Sequence, residues 1–175
     1  MPTTIALFSS GRRHGNTGQL IDRIAGELQI EVVDLADKTI SPFDYEHRNR
    51  NDDFEPLIRH LLGFDQIIFA SPVYWYAVAG PMKIFIDRTS DLLDVPELLE
   101  QGRAFRGKTA HVVCTSIYDD VSAHFLGALR DTFSYLGMEF GACMHANCED
   151  GYIASKHEDD VRIFIERVRN CRSTM

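Results

Sequence analysis

The sequence predicts an α/β protein with a parallel sheet covered by helices on both faces. Five short runs rich in Val, Ile and Phe alternate with five longer segments in which apolar residues recur every three or four positions. This alternation is typical of a parallel sheet that carries helices on both sides. The central strands are almost continuously apolar, as expected of strands buried on both faces. Because the chain is long enough for one hydrophobic core and shows no internal boundary, we expect a single domain over residues 1–175.

The first part of the chain is predicted to form three strands and two helices. Apolar runs indicate the strands, and the period of three to four residues indicates the helices. Gly63 is expected to end the second helix. The predicted elements are, in order, strand Thr4–Phe8, helix Thr17–Leu28, strand Ile30–Leu35, a polar loop over residues 36–51, a helix from Phe54 to Leu62, and strand Gln66–Ala70.

The rest of the chain is predicted to supply three helices and two strands. Pro81 suits the first turn of the third helix, because the N–H that it lacks would have no helical partner there. Asp119 or Asp120 is expected to cap the fourth helix, and Gly137 to end it. The predicted elements are a helix from Pro81 through Leu92, a charged connector Glu97–Lys108, strand Thr109–Thr115, helix Ser122–Leu136, strand Met138–Ala146 and helix Glu158–Asn170.

The composition argues against several classes of protein. A formal charge of −8 is unsuited to general nucleic-acid binding, which depends on cationic patches. No apolar run is long enough to cross a membrane, and no signal peptide opens the chain. The four cysteines are unevenly spaced. We therefore expect a cytoplasmic protein with reduced thiols and without a membrane or nucleic-acid partner.

The chain is organised around its first strand–loop–helix segment. An apolar strand leads into the polar loop Ser9–Gly15, and Asn16 and Thr17 stand before the first helix. The first turn of a helix has free N–H groups and partial positive charge, so this segment is suited to bind an anion. Arg12 and Arg13 add positive charge beside it. The alternative is an ordinary connection in which Asn16 or Thr17 only caps the helix, since the loop matches neither the P-loop nor the dinucleotide-binding motif.

Three loops are expected at one edge of the sheet. They follow strands one, three and four, and comprise Ser9–Asn16, Ser71–Gly80 and Thr115–Asp120. In open parallel sheets, ligands bind outside the carboxyl ends of the strands, where the strand order reverses. The second loop contains three consecutive aromatic residues, 74–76, which would form a costly exposed patch without a ligand or partner. The alternative is that one or two of these rings pack in the core or at a dimer interface.

Two of these loops resemble those of a known family. Ser9–Thr17 (S-S-G-R-R-H-G-N-T) resembles the phosphate loop of the NAD(P)H-dependent FMN reductases of the flavodoxin-like superfamily, which often reads G-S-x-R-x-x-G-N-T. Ser71–Lys83 resembles their second flavin loop, S-P-x-Y-x-x-x-x-x-G-x-x-K. The order and separation of the two motifs also fit that family. The resemblance implies a flavodoxin-like three-layer sandwich with strand order 2-1-3-4-5 and one bound FMN in each subunit.

The resemblance also implies which residues hold the cofactor. They are Ser9, Ser10, Arg12, Asn16 and Thr17 at the phosphate, Pro72, Val73, Tyr74 and Trp75 along the ribityl chain and the isoalloxazine ring, and Thr115 and Ser116 in the third loop. Backbone N–H groups of residues 73–76 and of Ser116 would stabilise charge on the N1–O2 edge of the flavin. No side-chain acid or base is required, so no catalytic residue is expected.

The implied activity is that of an FMN-dependent oxidoreductase. NAD(P)H would deliver a hydride to N5 of FMN, and a quinone, free flavin, nitro or azo compound would then accept the electrons. One alternative is an electron-transfer protein like flavodoxin, because the acidic charge suits a basic redox partner. Another is a flavin-free binding module that keeps the fold. The family resemblance and the aromatic loop further predict a homodimer or homotetramer.

One further cluster is a candidate for chemistry. Cys143, His145 and Cys148 form the pattern C-x-H-x-x-C. A structural zinc site needs four ligands, and Cys148 lies beyond the predicted strand that carries the other two residues. Buried cysteine is the common case in folded proteins, so no metal site is expected.

Overall fold

The computed structural model, which describes residues 3–171, contains a five-stranded sheet. Its strands are β1 (Thr4–Phe8), β2 (Val32–Asp34), β3 (Gln66–Pro72), β4 (Thr109–Ser116) and β5 (Glu139–Asn147). They pair in parallel in the order β2-β1-β3-β4-β5, which confirms the predicted flavodoxin-like fold class. The order reverses between β1 and β3, so a ligand site is expected beyond the carboxyl ends of those two strands.

Helices cover both faces of this sheet. They are α1 (Asn16–Leu28), α2 (Phe54–Leu61), α3 (Gly80–Arg88), α4 (Asp91–Asp94), α5 (Leu99–Arg103), α6 (Ala123–Tyr135) and α7 (Glu158–Asn170). One core cluster packs α1 and α7 against the sheet through residues such as Leu20 and Phe164. The other packs α2, α3 and α6 through Leu57, Phe85 and Phe133. Within the described range, no helix combines the length and the apolar character needed to span a bilayer.

The strands depart from the prediction mainly at their ends. β3 and β4 continue into the predicted loops because Ser71 pairs with Cys114 and Pro72 with Thr115. β2 is shorter than predicted. At its end, the Asp34 carboxylate accepts a hydrogen bond from the Ala36 backbone N–H at 2.9 Å, which starts a 3₁₀ turn. β5 begins and ends one residue later than predicted. The extension of β3 and β4 brings the loops that follow them side by side.

The third predicted helix is interrupted after Arg88. α3 ends there and α4 begins at Asp91, whereas the sequence pattern predicts one continuous helix. Thr89 Oγ1 donates to the carbonyl oxygen of Ile86 at 2.6 Å, and this local bond competes with the helical hydrogen bonds. The buried Arg88 guanidinium donates to Asp91 at 2.8 Å and to Asp52 at 2.6 Å. These bonds fix the break and tie the long loop before α2 to α3.

The cap of α6 comes from a residue other than the predicted ones. The Ser122 hydroxyl accepts a hydrogen bond from the backbone N–H of His124 at 3.3 Å. The expectation that Asp119 or Asp120 caps this helix is therefore wrong. Asp119 instead accepts a hydrogen bond from the Asn147 side chain at 2.8 Å, which joins the loop after β4 to the end of β5.

A buried histidine occupies an irregularity between β4 and β5. The register of the two strands shifts between Ala110 and Val112, and His111 lies there with 1% of its surface exposed. Its Nδ1 accepts from the backbone N–H of Ala142 at 2.9 Å, so its Nε2–H donates to Gln66 Oε1 at 2.8 Å. Burial lowers the pKa of His111 to about 4, because the charged form loses its solvation. The ring is therefore neutral in the folded protein at neutral pH.

Candidate functional site

A pocket of about 580 Å³ opens at the carboxyl edge of the sheet. Loops that follow β1, β3 and β4 form it together with the first turn of α1. The predicted cofactor-binding residues that line it are Ser10, Arg12, Asn16, Thr17, Pro72, Val73, Tyr74, Trp75, Thr115 and Ser116. Ser9 does not line the pocket and is buried at the start of its loop. The lining residues outside the predicted set are Gly15, Tyr76, Ile117, Tyr118, Asp120, Ser122 and Cys148.

The first turn of α1 forms one end of the pocket. Gly15 is its N-cap residue, and no side chain caps this end among the described residues. Asn16 and Thr17 lie inside the helix with their side chains engaged: Asn16 Oδ1 accepts from the backbone N–H of Tyr152 at 3.1 Å, and the hydroxyls of Thr17 and Thr115 are 2.7 Å apart. The alternative in which Asn16 or Thr17 only caps the helix is therefore wrong. The N–H groups of the first turn remain available to an anion.

The two arginines of the first loop have different roles. Arg12 lines the pocket and Arg13 does not. Arg13 donates to Asp22 at 2.6 and 3.1 Å, and its guanidinium lies 5.0 Å from the centre of the Phe8 ring. The hydrogen bond to Asp22 raises the pKa of Arg13, and this ion pair holds the loop against α1. Gly18 is also required, because a Cβ there would lie 1.8 Å from the Arg13 carbonyl oxygen.

The loop after β3 ends in a tight two-residue turn. Tyr74 and Ala77 exchange backbone hydrogen bonds of 2.9 and 3.0 Å, and the residues between them, Trp75 and Tyr76, have φ angles of 49° and 62°. A left-handed backbone costs a residue other than glycine about 1–2 kcal/mol. The side chains of Tyr74, Trp75 and Tyr76 are 50%, 95% and 59% exposed, so their rings do not pack in the core. Strained backbone together with exposed aromatic surface is typical of a functional segment.

Two of the backbone donors expected at the flavin are engaged within the protein. The Val73 N–H donates to the Thr115 carbonyl oxygen at 2.9 Å, and the Tyr74 N–H donates to the Ala77 carbonyl oxygen at 2.9 Å. The expectation that the N–H groups of residues 73–76 all serve the flavin edge is therefore wrong for the first two. The bond between Val73 and Thr115 instead joins the loop after β3 to the end of β4.

The opposite rim of the pocket is formed by the loop after β4. Ile117 and Tyr118 are both more than half exposed there. Ser116, the last residue of β4, accepts from the Tyr118 N–H at 3.1 Å and is hydrogen-bonded to His145 Nε2 at 2.8 Å. The sequence pattern indicates His145 only as a candidate metal ligand. Its contact with the pocket depends on the register of β4 and β5, which pairs Ser116 with Asn147 and which no local pattern reveals.

The cysteines of the C-x-H-x-x-C pattern occupy different environments. Cys143 contacts Cys114 on β4, and a hydrogen bond between the two thiols raises the pKa of Cys114. Cys148 lines the pocket, where burial raises the pKa of its thiol. Across residues 3–171, no group of three or more His, Cys, Asp or Glu side chains is arranged to hold a metal ion.

The pocket has the chemistry that FMN requires. Its α1 end offers backbone N–H groups, hydroxyls and the Arg12 guanidinium to a phosphate. Ser9 Oγ, buried at the start of that loop, has no hydrogen-bond partner within the described chain. The other end offers aromatic rims to a flat ring system. The pocket volume lies within the range of about 300–1,000 Å³ that is usual for small-molecule sites.

Comparisons with known proteins point to one family. The family model for NADPH-dependent FMN reductase matches residues 2–143. A Bacillus subtilis (strain 168) protein described as an NAD(P)H-dependent FMN-containing oxidoreductase, YwqN, is 30% identical over 146 residues. That match covers 78% of this chain and 80% of the relative.

Solved structures share the fold at low sequence identity. The Trp repressor binding protein from Bacillus subtilis has a TM-score of 0.74 at 21% identity, and the match covers 96% of this chain and 99% of that one. An NADPH-quinone reductase from P. pentosaceus has a TM-score of 0.68 at 13% identity, with 98% of this chain and 100% of that one covered. These likenesses extend the flavodoxin-like fold over nearly the whole chain.

Proposed function

Because the chain belongs to the NADPH-dependent FMN reductase family, we propose that its pocket binds FMN and that the enzyme passes electrons from NAD(P)H to a small, flat acceptor. Family membership makes the protein an FMN-dependent NAD(P)H oxidoreductase. FMN supplies the hydride and electron-transfer chemistry, while the protein supplies binding, orientation and electrostatics. The observation that carries the proposal is the uncapped first turn of α1, which opens into a pocket with aromatic rims.

The α1 end of the pocket is proposed to hold the phosphate. The helix N-terminus at Asn16 and Thr17 provides N–H donors, and Arg12 provides a full positive charge. Because the side-chain oxygen of Asn16 already accepts a backbone N–H, its amide NH₂ group remains to donate. Ser10 adds a hydroxyl at the start of the loop, whereas Ser9 does not line the pocket. Each charge-assisted hydrogen bond is worth about 1.5–3 kcal/mol, so a few of them are sufficient to fix the phosphate.

The other end of the pocket is proposed to hold the ribityl chain and the isoalloxazine ring. The residues assigned to it are Pro72, Val73, Tyr74, Trp75, Thr115 and Ser116. Exposed apolar side chains on the two rims, the rings of residues 74–76 on one and Ile117 with Tyr118 on the other, would cover a flat ligand and exclude water from it. The protein's task at this end is orientation, and no catalytic side-chain acid or base is proposed.

The acceptor is proposed to be a quinone, a free flavin, a nitro compound or an azo compound. Flat aromatic rings stack on exposed aromatic side chains such as those at the pocket mouth. One solved structure of the same fold is named as an NADPH-quinone reductase. The competing function is electron transfer to a protein partner, as in flavodoxin, which the charge of −8 would suit if that partner is basic.

We further propose that residues 1–175 form a single domain and that these domains assemble into a homodimer or homotetramer. The exposed rings around the pocket form an apolar patch that a symmetry-related copy would bury. Trp75, which is 95% exposed, is the residue most in need of such a cover. The four free thiols support a reducing compartment, the cytoplasm, as the site of action.

Anaerobic mixing of the FMN-loaded protein with NADPH or NADH tests the proposed function. We expect the flavin absorbance to bleach without a protein partner and to recover when a quinone or azo dye is added. Bleaching that requires a separate reductase protein would instead establish the flavodoxin-like function. A purified protein that takes up no FMN at micromolar concentration would refute both.

A further inference from the structure

A serine hydroxyl in the pocket wall is hydrogen-bonded to a histidine on the neighbouring strand. Ser116 ends β4 and lines the pocket, and His145 lies on β5. The distance between Ser116 Oγ and His145 Nε2 is 2.8 Å. The same Oγ also accepts a hydrogen bond from the backbone N–H of Tyr118 at 3.1 Å. The hydroxyl is therefore held between two nitrogen atoms at the edge of the proposed flavin site.

The direction of this hydrogen bond depends on the tautomer and the protonation of His145. A hydroxyl has one hydrogen, and a neutral imidazole with a bare Nε2 accepts it. A protonated imidazole donates from Nε2, so both that N–H and the Tyr118 N–H would point at Ser116 Oγ. The hydrogen of Ser116 must then find another acceptor. Among residues 3–171, the other acceptor in reach of this hydroxyl is the Tyr118 carbonyl oxygen at 3.4 Å, which is a long hydrogen bond.

The surroundings of His145 set where this change occurs. Burial lowers the pKa of His145 below its ordinary value of 6.5, because the charged form is poorly solvated. Within the described part of the chain, two charged or titratable groups act on the ring. Asp120, from the loop after β4, favours the charged form, and His157, from the segment before α7, opposes it. Protonation of His145 therefore occurs at a lower pH than that of an ordinary histidine.

We propose that His145 is a positioning residue that acts through Ser116, so that protonation of His145 turns the Ser116 hydroxyl into a hydrogen-bond donor toward the bound flavin. The protein with protonated His145 would then bind flavin more tightly than the protein with neutral His145. The proton is taken up from solvent. This inference rests on the proposed placement of FMN in the pocket. By linkage, flavin binding must favour protonation of His145 by the same factor.

Flavin affinity measured as a function of pH tests the inference. Riboflavin is titrated beside FMN, because the phosphate of FMN itself titrates near pH 6. A new hydrogen bond of ordinary strength corresponds to about tenfold in affinity. We expect the wild-type protein to bind both ligands more tightly as the pH falls from about 8 to about 5, by up to about tenfold, after the FMN curve is corrected for its phosphate.

Matched variants separate the pair from the rest of the protein. His145→Gln keeps a donor and an acceptor but does not titrate, so its riboflavin affinity should not vary over this range. Ser116→Ala should also remove the dependence, and Ser116→Thr, which keeps the hydroxyl, should retain it. His60→Gln is the control, because His60 lies on α2, pairs with Glu31 and does not line the pocket. It should behave as the wild type does.

A second readout does not depend on affinity. Imidazole resonances of His145, assigned with the His145→Gln variant, should show its pKa rising by about one unit when riboflavin saturates the pocket, which is the linkage partner of a tenfold effect. A His145→Gln protein that keeps the wild-type pH dependence, or a His145 titration that riboflavin does not move, would overturn the inference. Either result would leave the reductase function intact, whereas failure to bind any flavin would remove the proposed site and this inference together.

Discussion

Acidification should destabilise the protein through His111 before it affects the paired carboxylates. In the folded state Nδ1 of this ring accepts the Ala142 N–H, and Nε2–H donates to Gln66. Protonation would place a second N–H against the Ala142 N–H in a site that is 1% exposed. The unfolded chain has no such constraint and binds the proton near the ordinary pKa of 6.5. Stability is therefore fully present above about pH 6.5 and is lost as the pH falls toward about 4.

The size of this loss follows from the two pKa values. The pKa of His111 is about 4 in the folded protein, against an ordinary value of 6.5. At about 1.4 kcal/mol for each pKa unit, the complete effect is about 3 kcal/mol, of which about 2 kcal/mol is lost between about pH 7 and pH 5. Asp44 titrates in a different window, because the Arg48 hydrogen bond lowers its pKa to about 2. Its contribution therefore begins to fade only below about pH 4.

Urea unfolding of the FMN-saturated protein near pH 7 and pH 5 measures this loss. His145 also has a lowered pKa and can add a pH dependence of its own, so the informative quantity is the difference between the wild type and His111→Gln. The glutamine variant is expected to start from a lower stability but to lose about 2 kcal/mol less on acidification. His124→Gln, at an exposed position of α6, should follow the wild type. A His111→Gln protein whose stability falls in parallel with the wild type would refute the reasoning.

Three further predictions concern the proposed flavin site. Thr17→Val should weaken FMN binding about ten- to a hundredfold while changing riboflavin binding little, because riboflavin has no phosphate. Thr17→Ser, which keeps the hydroxyl, is the control. An equal loss of affinity for both ligands would mean that the Thr17 hydroxyl serves only its hydrogen bond with Thr115. Replacing Trp75 and Tyr76 together by Asn and Gly should raise the free energy of unfolding by about 1–3 kcal/mol, because Asn and Gly suit the left-handed turn. The same replacement should weaken flavin binding. Unchanged stability in urea would contradict the inferred backbone strain at these two residues. Light scattering of the FMN-loaded protein at micromolar concentration should give at least a dimer mass, which Trp75→Ser should reduce, and a monomer mass for the wild type would refute the proposed assembly.

Local patterns were sufficient to predict the central strands of the sheet, because β1, β3 and β4 are buried on both faces. Gln66–Ala70 is predicted correctly from its apolar run alone, and pairing extends it by two residues to Pro72. The break between α3 and α4 could not be predicted in this way. It depends on the contact of Arg88 with Asp52, which lies 36 positions earlier in the chain. Helical periodicity describes one face of one helix and contains no information on such a partner.

The two halves of the pocket differ in how much of them the sequence reveals. The α1 end is one continuous strand–loop–helix, so its residues are neighbours in the chain and their pattern can be recognised. Even there, the separate roles of Arg12 and Arg13 follow from the position of Asp22 on α1. The contribution of His145 requires the register of β4 and β5, which only the folded sheet defines. Positions that are brought together by long-range pairing leave no local signal.

At the turn formed by Trp75 and Tyr76, the backbone conformation conflicts with the local preference of the sequence. Two left-handed residues between paired positions normally call for Asn and Gly, and two bulky aromatic residues are unfavourable there. The surrounding structure holds the turn in place: Val73 is bonded to Thr115, and the Ser71 hydroxyl accepts from a backbone N–H at the far end of the loop at 2.8 Å. Local preference and native conformation disagree here while the rest of the fold is locally consistent. Since selection for stability alone would favour a different pair of residues, the rings at this position are best explained by a ligand or partner that contacts them.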